Sequence, residues 1–128
     1  MLGKIVLWIS AVSFIGYGLA CLFSPELPAQ YAGLGITSGD AYAEIGAMYG
    51  GLQTGFGLFC LLATLRPSLF RAGLTLLVLV IGSLALGRLY STLTASDPVG
   101  GYTCGALCFE FAIAILAGIA LRLSPGAP

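Results

Sequence analysis

The chain has 128 residues, 59% of them hydrophobic and only 8% charged, with five bases, five acids and no histidine. An average soluble domain is about 25% charged, and most of the surface of a domain this size must face water. A soluble monomer is therefore excluded, as are a disordered chain, which needs far lower apolar content, and a nucleic-acid binder, which needs a basic excess.

What remains is an all-α integral membrane protein, expected as a four-helix bundle forming a single transmembrane domain over residues 1–128. Its mean hydropathy is +1.03. Four apolar stretches follow in chain order, 5–23, 41–65, 68–90 and 103–123. Each is near the roughly 20 residues that a spanning helix needs at about 1.5 Å per residue. Spanning strands are disfavoured, because the run Leu74-Thr75-Leu76-Leu77-Val78-Leu79 lacks a two-residue alternation.

The breaks between the stretches agree. Ser24-Pro25-Glu26-Leu27-Pro28 stops the first helix, since proline lacks the next backbone donor. Residues 24–40 read as a segment on the membrane surface with one helical turn. Asp40 is placed to cap the second helix. Arg66-Pro67-Ser68 makes a tight connection, with proline suited to a first turn. Ser96-Asp97-Pro98-Val99-Gly100-Gly101 is a turn-rich loop. The tail Ser124-Pro125-Gly126-Ala127-Pro128 cannot extend the last helix.

Lys4, Arg66, Arg71 and Arg122 fall on one side of this topology, while Glu26, Asp40, Glu44, Asp97 and Glu110 fall on or toward the other, with Arg88. The positive-inside tendency then puts both termini in the cytoplasm. Tyr31, Tyr42, Tyr90 and Tyr102 lie near the outer boundary, where amphipathic rings anchor. A basic start and apolar core also fit a cleaved signal peptide. Against that, leucine sits one place too late in Gly18-Leu19-Ala20-Cys21 for a lipoprotein cleavage box, so the first helix is expected to be retained.

The second stretch carries two G-x-x-x-G patterns, Gly46 to Gly50 and Gly51 to Gly55. Four-residue spacing puts each pair on one helix face and lets another backbone approach. Ser83 and Gly87 in the third stretch, and Ala114 and Gly118 in the fourth, repeat the spacing. Packing within the bundle and a face for a second copy are both open. Gln53 and Thr54, near mid-helix, are expected to bond neighbouring helices or line a polar cleft.

Glu44, Arg88 and Glu110 are the most informative residues. Glu44 lies roughly 6 Å below the start of its helix, Glu110 roughly 10 Å below its own, and Arg88 just before the end of the antiparallel one between them. All three share one depth band. A charge in the hydrocarbon region costs several kcal/mol unless paired or wetted, and the planar fork of arginine serves two carboxylates. Arg88 is expected to bridge Glu44 and Glu110 in a cleft open to the outer side, with Tyr49 as a donor nearby. One glutamate is then protonated, or a cation, water or ligand amine completes the site. A register-fixing ion triad and a binding or proton-linked pocket are the two readings of such a cluster.

The block Ala43-Glu44-Ile45-Gly46-Ala47-Met48-Tyr49-Gly50-Gly51-Leu52 resembles the most characteristic segment of the domain-of-unknown-function 4345 proteins, an uncharacterised bacterial family. Gly87-Arg88-Leu89-Tyr90-Ser91, the Asp97-Pro98 turn and Glu110 are similar to its later segments. The resemblance covers nearly the whole chain and implies a small protein with four transmembrane helices in a bacterial inner membrane. In size and helix count it also resembles DoxX-like membrane proteins, some linked to quinone or sulfur redox chemistry. A faint internal repeat relates Ile15-Gly16 to Ile81-Gly82 and Glu44 to Glu110, both 66 residues apart.

Cys104 and Cys108, one turn apart, and Cys21 lie toward the outer side, and Cys60 toward the inner. A Cys104–Cys108 disulfide is awkward in a regular helix; Cys21 reaches Cys104 only if their helices touch. All four also suit small buried hydrophobes. Without histidine or a phosphate loop, no catalytic residue, metal site or cofactor is expected.

The leading expectation is a non-enzymatic membrane protein, either an accessory subunit of a larger complex or a binder of a small amphiphile or lipid at the Glu-Arg-Glu cleft. Its partners would be the bilayer and a larger complex or further copies, with no nucleic acid. A proton- or cation-coupled transporter acting as an oligomer, and a quinone- and thiol-using redox enzyme, are the alternatives.

Overall fold

A computed structural model describes residues 1–124. They form five helices: α1 Leu2–Phe23, α2 Glu26–Ala32, α3 Gly39–Leu65, α4 Pro67–Thr94 and α5 Gly101–Leu123. There is no strand among the described residues. All but α2 are long and apolar enough to cross a membrane. The expected tail 125–128 lies outside the described residues.

Each long helix outruns the apolar stretch that announced it. Hydropathy marks where side chains favour lipid, whereas backbone hydrogen bonding continues into polar residues. In α4 the helix passes Tyr90 and closes at Thr94, whose Oγ1 donates to the Tyr90 carbonyl at 3.0 Å. The segment between α1 and α3 holds more than one turn: α2 has seven residues, buries Pro28 and Ala29, and exposes Leu27 and Tyr31. It stops at Gly33, the only residue with positive φ (69°) among those described. Glycine adopts this left-handed cap without a Cβ clash.

The cap of α3 is Ser38, not Asp40. Ser38 Oγ accepts from the Ala41 backbone N–H at 3.1 Å. Asp40 falls inside the first turn, where its charge faces the positive end of the helix dipole. At the start of α4, Pro67 takes an opening position after an extended Arg66. Two helices carry a wider π turn, Gly46–Gly51 in α3 and Leu77–Ile81 in α4.

The chain divides into two compact units. Trp8–Leu62 is a hairpin of α1 and α3 with α2 in its connection. Its seam is backbone against backbone. A Cβ on Gly50 would lie 2.6 Å from Leu22 Cα, one on Gly18 2.5 Å from Thr54 N, and one on Gly57 2.6 Å from Ile15 N. Residue numbers fall along α1 as they rise along α3, so the two helices run antiparallel.

The other unit joins Met1–Leu7 to the chain from Ala63 onward. Here α4 and α5 run antiparallel, with Gly82 opposite Ala114 and Val78 opposite Gly118. The start of α1 is set against them through Gly3, beside Phe70, Leu74 and Ala120. Buried Leu74, Leu77, Ile81 and Ala85 run up α4, and buried Ile113, Ala117 and Ala120 run along α5. Those spacings of three and four keep each set on one helix face. Arg71 closes the far end of α5, its Nη1 donating to the carbonyls of Leu121 at 3.2 Å and Ser124 at 2.8 Å. The Leu121 carbonyl also accepts from the Ser124 backbone N–H at 3.3 Å, and a cation suits the negative end of the helix.

Candidate functional site

The apolar stripes of α4 and α5 each end in a charge. Arg88 follows Ala85 by three residues, and Glu110 precedes Ile113 by three, so each group extends its own stripe. The two meet. Arg88 Nε donates to Glu110 Oε2 at 2.9 Å and to Oε1 at 3.1 Å, and Nη2 donates to Oε1 at 2.7 Å. This is the two-pronged arrangement that guanidinium and carboxylate planes favour. The Glu110 side chain is 7% exposed and that of Arg88 24%.

Electrically the pair is neutral. A lone carboxylate buried as deeply as Glu110 would be costly, and the guanidinium at 2.7 Å offsets that cost. The acid is enclosed while the base keeps an accessible edge. The less enclosed partner of the pair is therefore the cation.

Of the three charged residues expected together, Arg88 and Glu110 belong to one unit and pair there. Glu44 lies on α3 in the other unit, and its side chain is exposed. Tyr49 is half-buried inside the π turn of α3.

The small-residue positions separate by environment. Gly50 meets Leu22, and a Cβ on Gly46 would touch Pro25 at 3.6 Å. Gly51, Gly55 and Gly87 have open space where a Cβ would stand, and Ser83 is exposed. Ala114 and Gly118 lie on the α4–α5 seam, where their neighbours are Gly82 and Val78. Thr54 bonds its own helix, its Oγ1 donating to the Gly50 carbonyl at 2.9 Å, in place of a neighbouring helix.

Two polar atoms, Ser10 Oγ and Gln53 Oε1, are buried without a hydrogen-bond partner among the described residues. Ser10 escapes a hydropathy reading, but it is the polar member of the buried α1 series Gly3, Leu7, Ser10, Phe14 and Cys21. The capping role of Arg71 had no local signal, because the carbonyls it serves lie 50 and 53 residues away.

Cys21, Cys60, Cys104 and Cys108 are free thiols, the first two buried and the last two exposed. Burial as small hydrophobes therefore describes Cys21 and Cys60 only. No group of three or more potential metal ligands occurs among the described residues.

Among the described residues, fold and site define an all-helical protein with four helices long and apolar enough to cross a membrane, and with one enclosed Arg–Glu pair. The chain belongs to the DUF4345 family, a domain of unknown function, whose model matches residues 2–121. No curated protein and no solved structure matches the chain.

Proposed function

We propose that this chain is a non-enzymatic integral protein of the bacterial inner membrane, with both termini cytoplasmic, that binds a small amphiphile at the outer end of the α4–α5 seam. The observation that carries the reading is the unequal enclosure of the ion pair, 7% exposed for Glu110 and 24% for Arg88. Intramembrane ionisable groups are functional candidates. Glu110 fixes the guanidinium, and the accessible edge of Arg88 receives the polar head of the ligand. The apolar residues of the seam receive its tail. The inner-side placement of Lys4, Arg66, Arg71 and Arg122 supports the orientation.

The test is an organic extract of the protein purified in mild detergent, analysed by mass spectrometry. The wild-type chain is expected to carry a bound amphiphile that Arg88→Met/Glu110→Leu loses. That double variant removes both charges together, so no unpaired charge is left to unfold the bundle. Identical extracts from the two proteins would rule out the site.

A second reading, an accessory subunit of a larger membrane complex, is favoured by Gly51 and Gly55. They lie open on α3 among exposed Leu52, Leu58 and Leu62. Small residues let a partner helix approach closely. Co-purification of a stoichiometric membrane partner that Gly51→Leu/Gly55→Leu abolishes would favour this reading over the first.

A further inference from the structure

The unit that holds the Arg88–Glu110 pair has a second feature at its opposite end. The start of α1, the start of α4 and the end of α5 converge there. A Cβ on Gly3 would lie 2.6 Å from Phe70 Cζ, 3.2 Å from Leu74 Cδ1 and 3.4 Å from Ala120 Cβ. Beside Gly3 is a cleft of about 220 Å³ lined by Leu2, Phe70, Ala120, Leu123 and Ser124. Its walls are predominantly apolar.

Four of the five Lys and Arg residues of the chain lie at this end of the unit. Lys4 follows Gly3, Arg122 precedes Leu123, and Arg66 stands four residues before Phe70. Arg71 is fixed at the rim by its bond to the carbonyl of Ser124, itself a lining residue. Lys4, Arg66 and Arg122 are exposed. The acids of the unit, Asp97 and Glu110, belong to the other end: Asp97 lies in the α4–α5 connection, and Glu110 is held by Arg88.

We infer that this cleft is a binding site for one anionic phospholipid of the inner leaflet. An apolar slot alone would take any acyl chain, and cations alone are what topology asks of a cytoplasmic end. Together, on three converging helices, they select a molecule that is apolar and anionic at once. Basic pockets between spanning helices on the cytoplasmic side suit such headgroups. Lys4 and Arg122 supply the charge that meets the phosphate. Arg71 positions the rim by holding the α5 carbonyls, and Gly3 lets α1 approach Phe70 closely beside the slot, since a Cβ there would lie 2.6 Å from its ring.

This inference rests on membrane insertion as proposed above, and not on the ligand of Arg88. To test it, the full chain in detergent is titrated with dioleoyl phosphatidylglycerol or dioleoyl phosphatidylcholine, and bound lipid is counted by native mass spectrometry. Phosphatidylglycerol is expected to be retained preferentially. Its retention should fall about five-fold for each cation removed in Lys4→Gln and Arg122→Gln. Leu123→Trp, which keeps every charge but crowds the mouth, is expected to lower retention of both lipids. Equal retention of the two lipids by the wild type, or unchanged preference in Lys4→Gln/Arg122→Gln, overturns the site. Release of the lipid by millimolar inorganic phosphate also overturns it, because the ligand is then a soluble anion. A chain that stays dispersed without any detergent overturns the membrane reading itself.

Discussion

The two compact units solve one problem in opposite ways. Each carries a glutamate on its second long helix, Glu44 and Glu110, and these stand 66 residues apart. In the unit from Ala63 onward, Arg88 lies at the end of the neighbouring helix, and Glu110 is buried against it. The position 66 residues before Arg88 is Leu22, and the span Trp8–Leu62 contains no basic residue. There Glu44 is exposed, and Leu22 sits against the bare backbone of Gly50. An acid goes inside only where its unit supplies a cation, because an uncompensated buried charge costs several kcal/mol.

The seams differ to match. One is closed by missing side chains and the other by apolar side chains capped with an ion pair, so each should fail under a different kind of substitution. The largest effect is expected for Arg88→Ala, which strands the buried Glu110 and should cost about 3–5 kcal/mol of stability, followed by Glu110→Ala, which leaves the part-exposed Arg88 unpaired. Reversible unfolding in mixed micelles reads this directly. The same measurement on Arg88→Met/Glu110→Leu should return close to wild type, whereas a cost equal to the sum of the single variants would show that the pair is not the unit of stability.

Next in size are Gly50→Ala and Gly57→Ala. Each puts a Cβ within 2.6 Å of the α1 backbone, and neither backbone can move without opening the hairpin. Overpacking of this kind costs about 1–3 kcal/mol. A neutral result at both positions would break the contrast between the units.

A smaller loss, about 1 kcal/mol, is expected for Ser38→Ala, which removes the side-chain acceptor of the Ala41 N–H. Faster hydrogen exchange confined to the first turn of α3 would report it; no change there would argue against Ser38 as the cap. The smallest effect has the opposite sign. Gly51→Ala and Gly55→Ala meet nothing within 4 Å and should gain up to about 1 kcal/mol from better helix propensity. A loss of stability at these sites would mean that the open face is already occupied by another chain.

Much of this was legible before any coordinates. Arg88 and Glu110 could be put at one depth because residue count converts to distance along a helix. The same arithmetic gives Glu44 a similar depth, and depth alone does not say which acid faces which cation. Facing depends on rotation about the helix axes, and a π turn such as Gly46–Gly51 in α3 shifts the rotational phase of the residues that follow it. The glycines show the same limit. Spacing offered Gly46–Gly50 and Gly51–Gly55 as equivalent pairs, yet one faces Pro25 and Leu22 and the other faces open space. Gly18 and Gly57, which make equally close approaches to backbone, belong to neither pair.

The sequence by itself determined the number of long helices, their approximate ends and the gathering of cations at one end. Hydropathy and turn chemistry are local and accumulate along the chain, so they need no knowledge of neighbours. Tertiary structure decided that Arg88 holds Glu110, which glycines admit a backbone, and that Arg71 completes a helix 50 residues away. Those outcomes depend on contacts of a few ångströms between segments far apart in sequence, and residue spacing within one helix does not fix them.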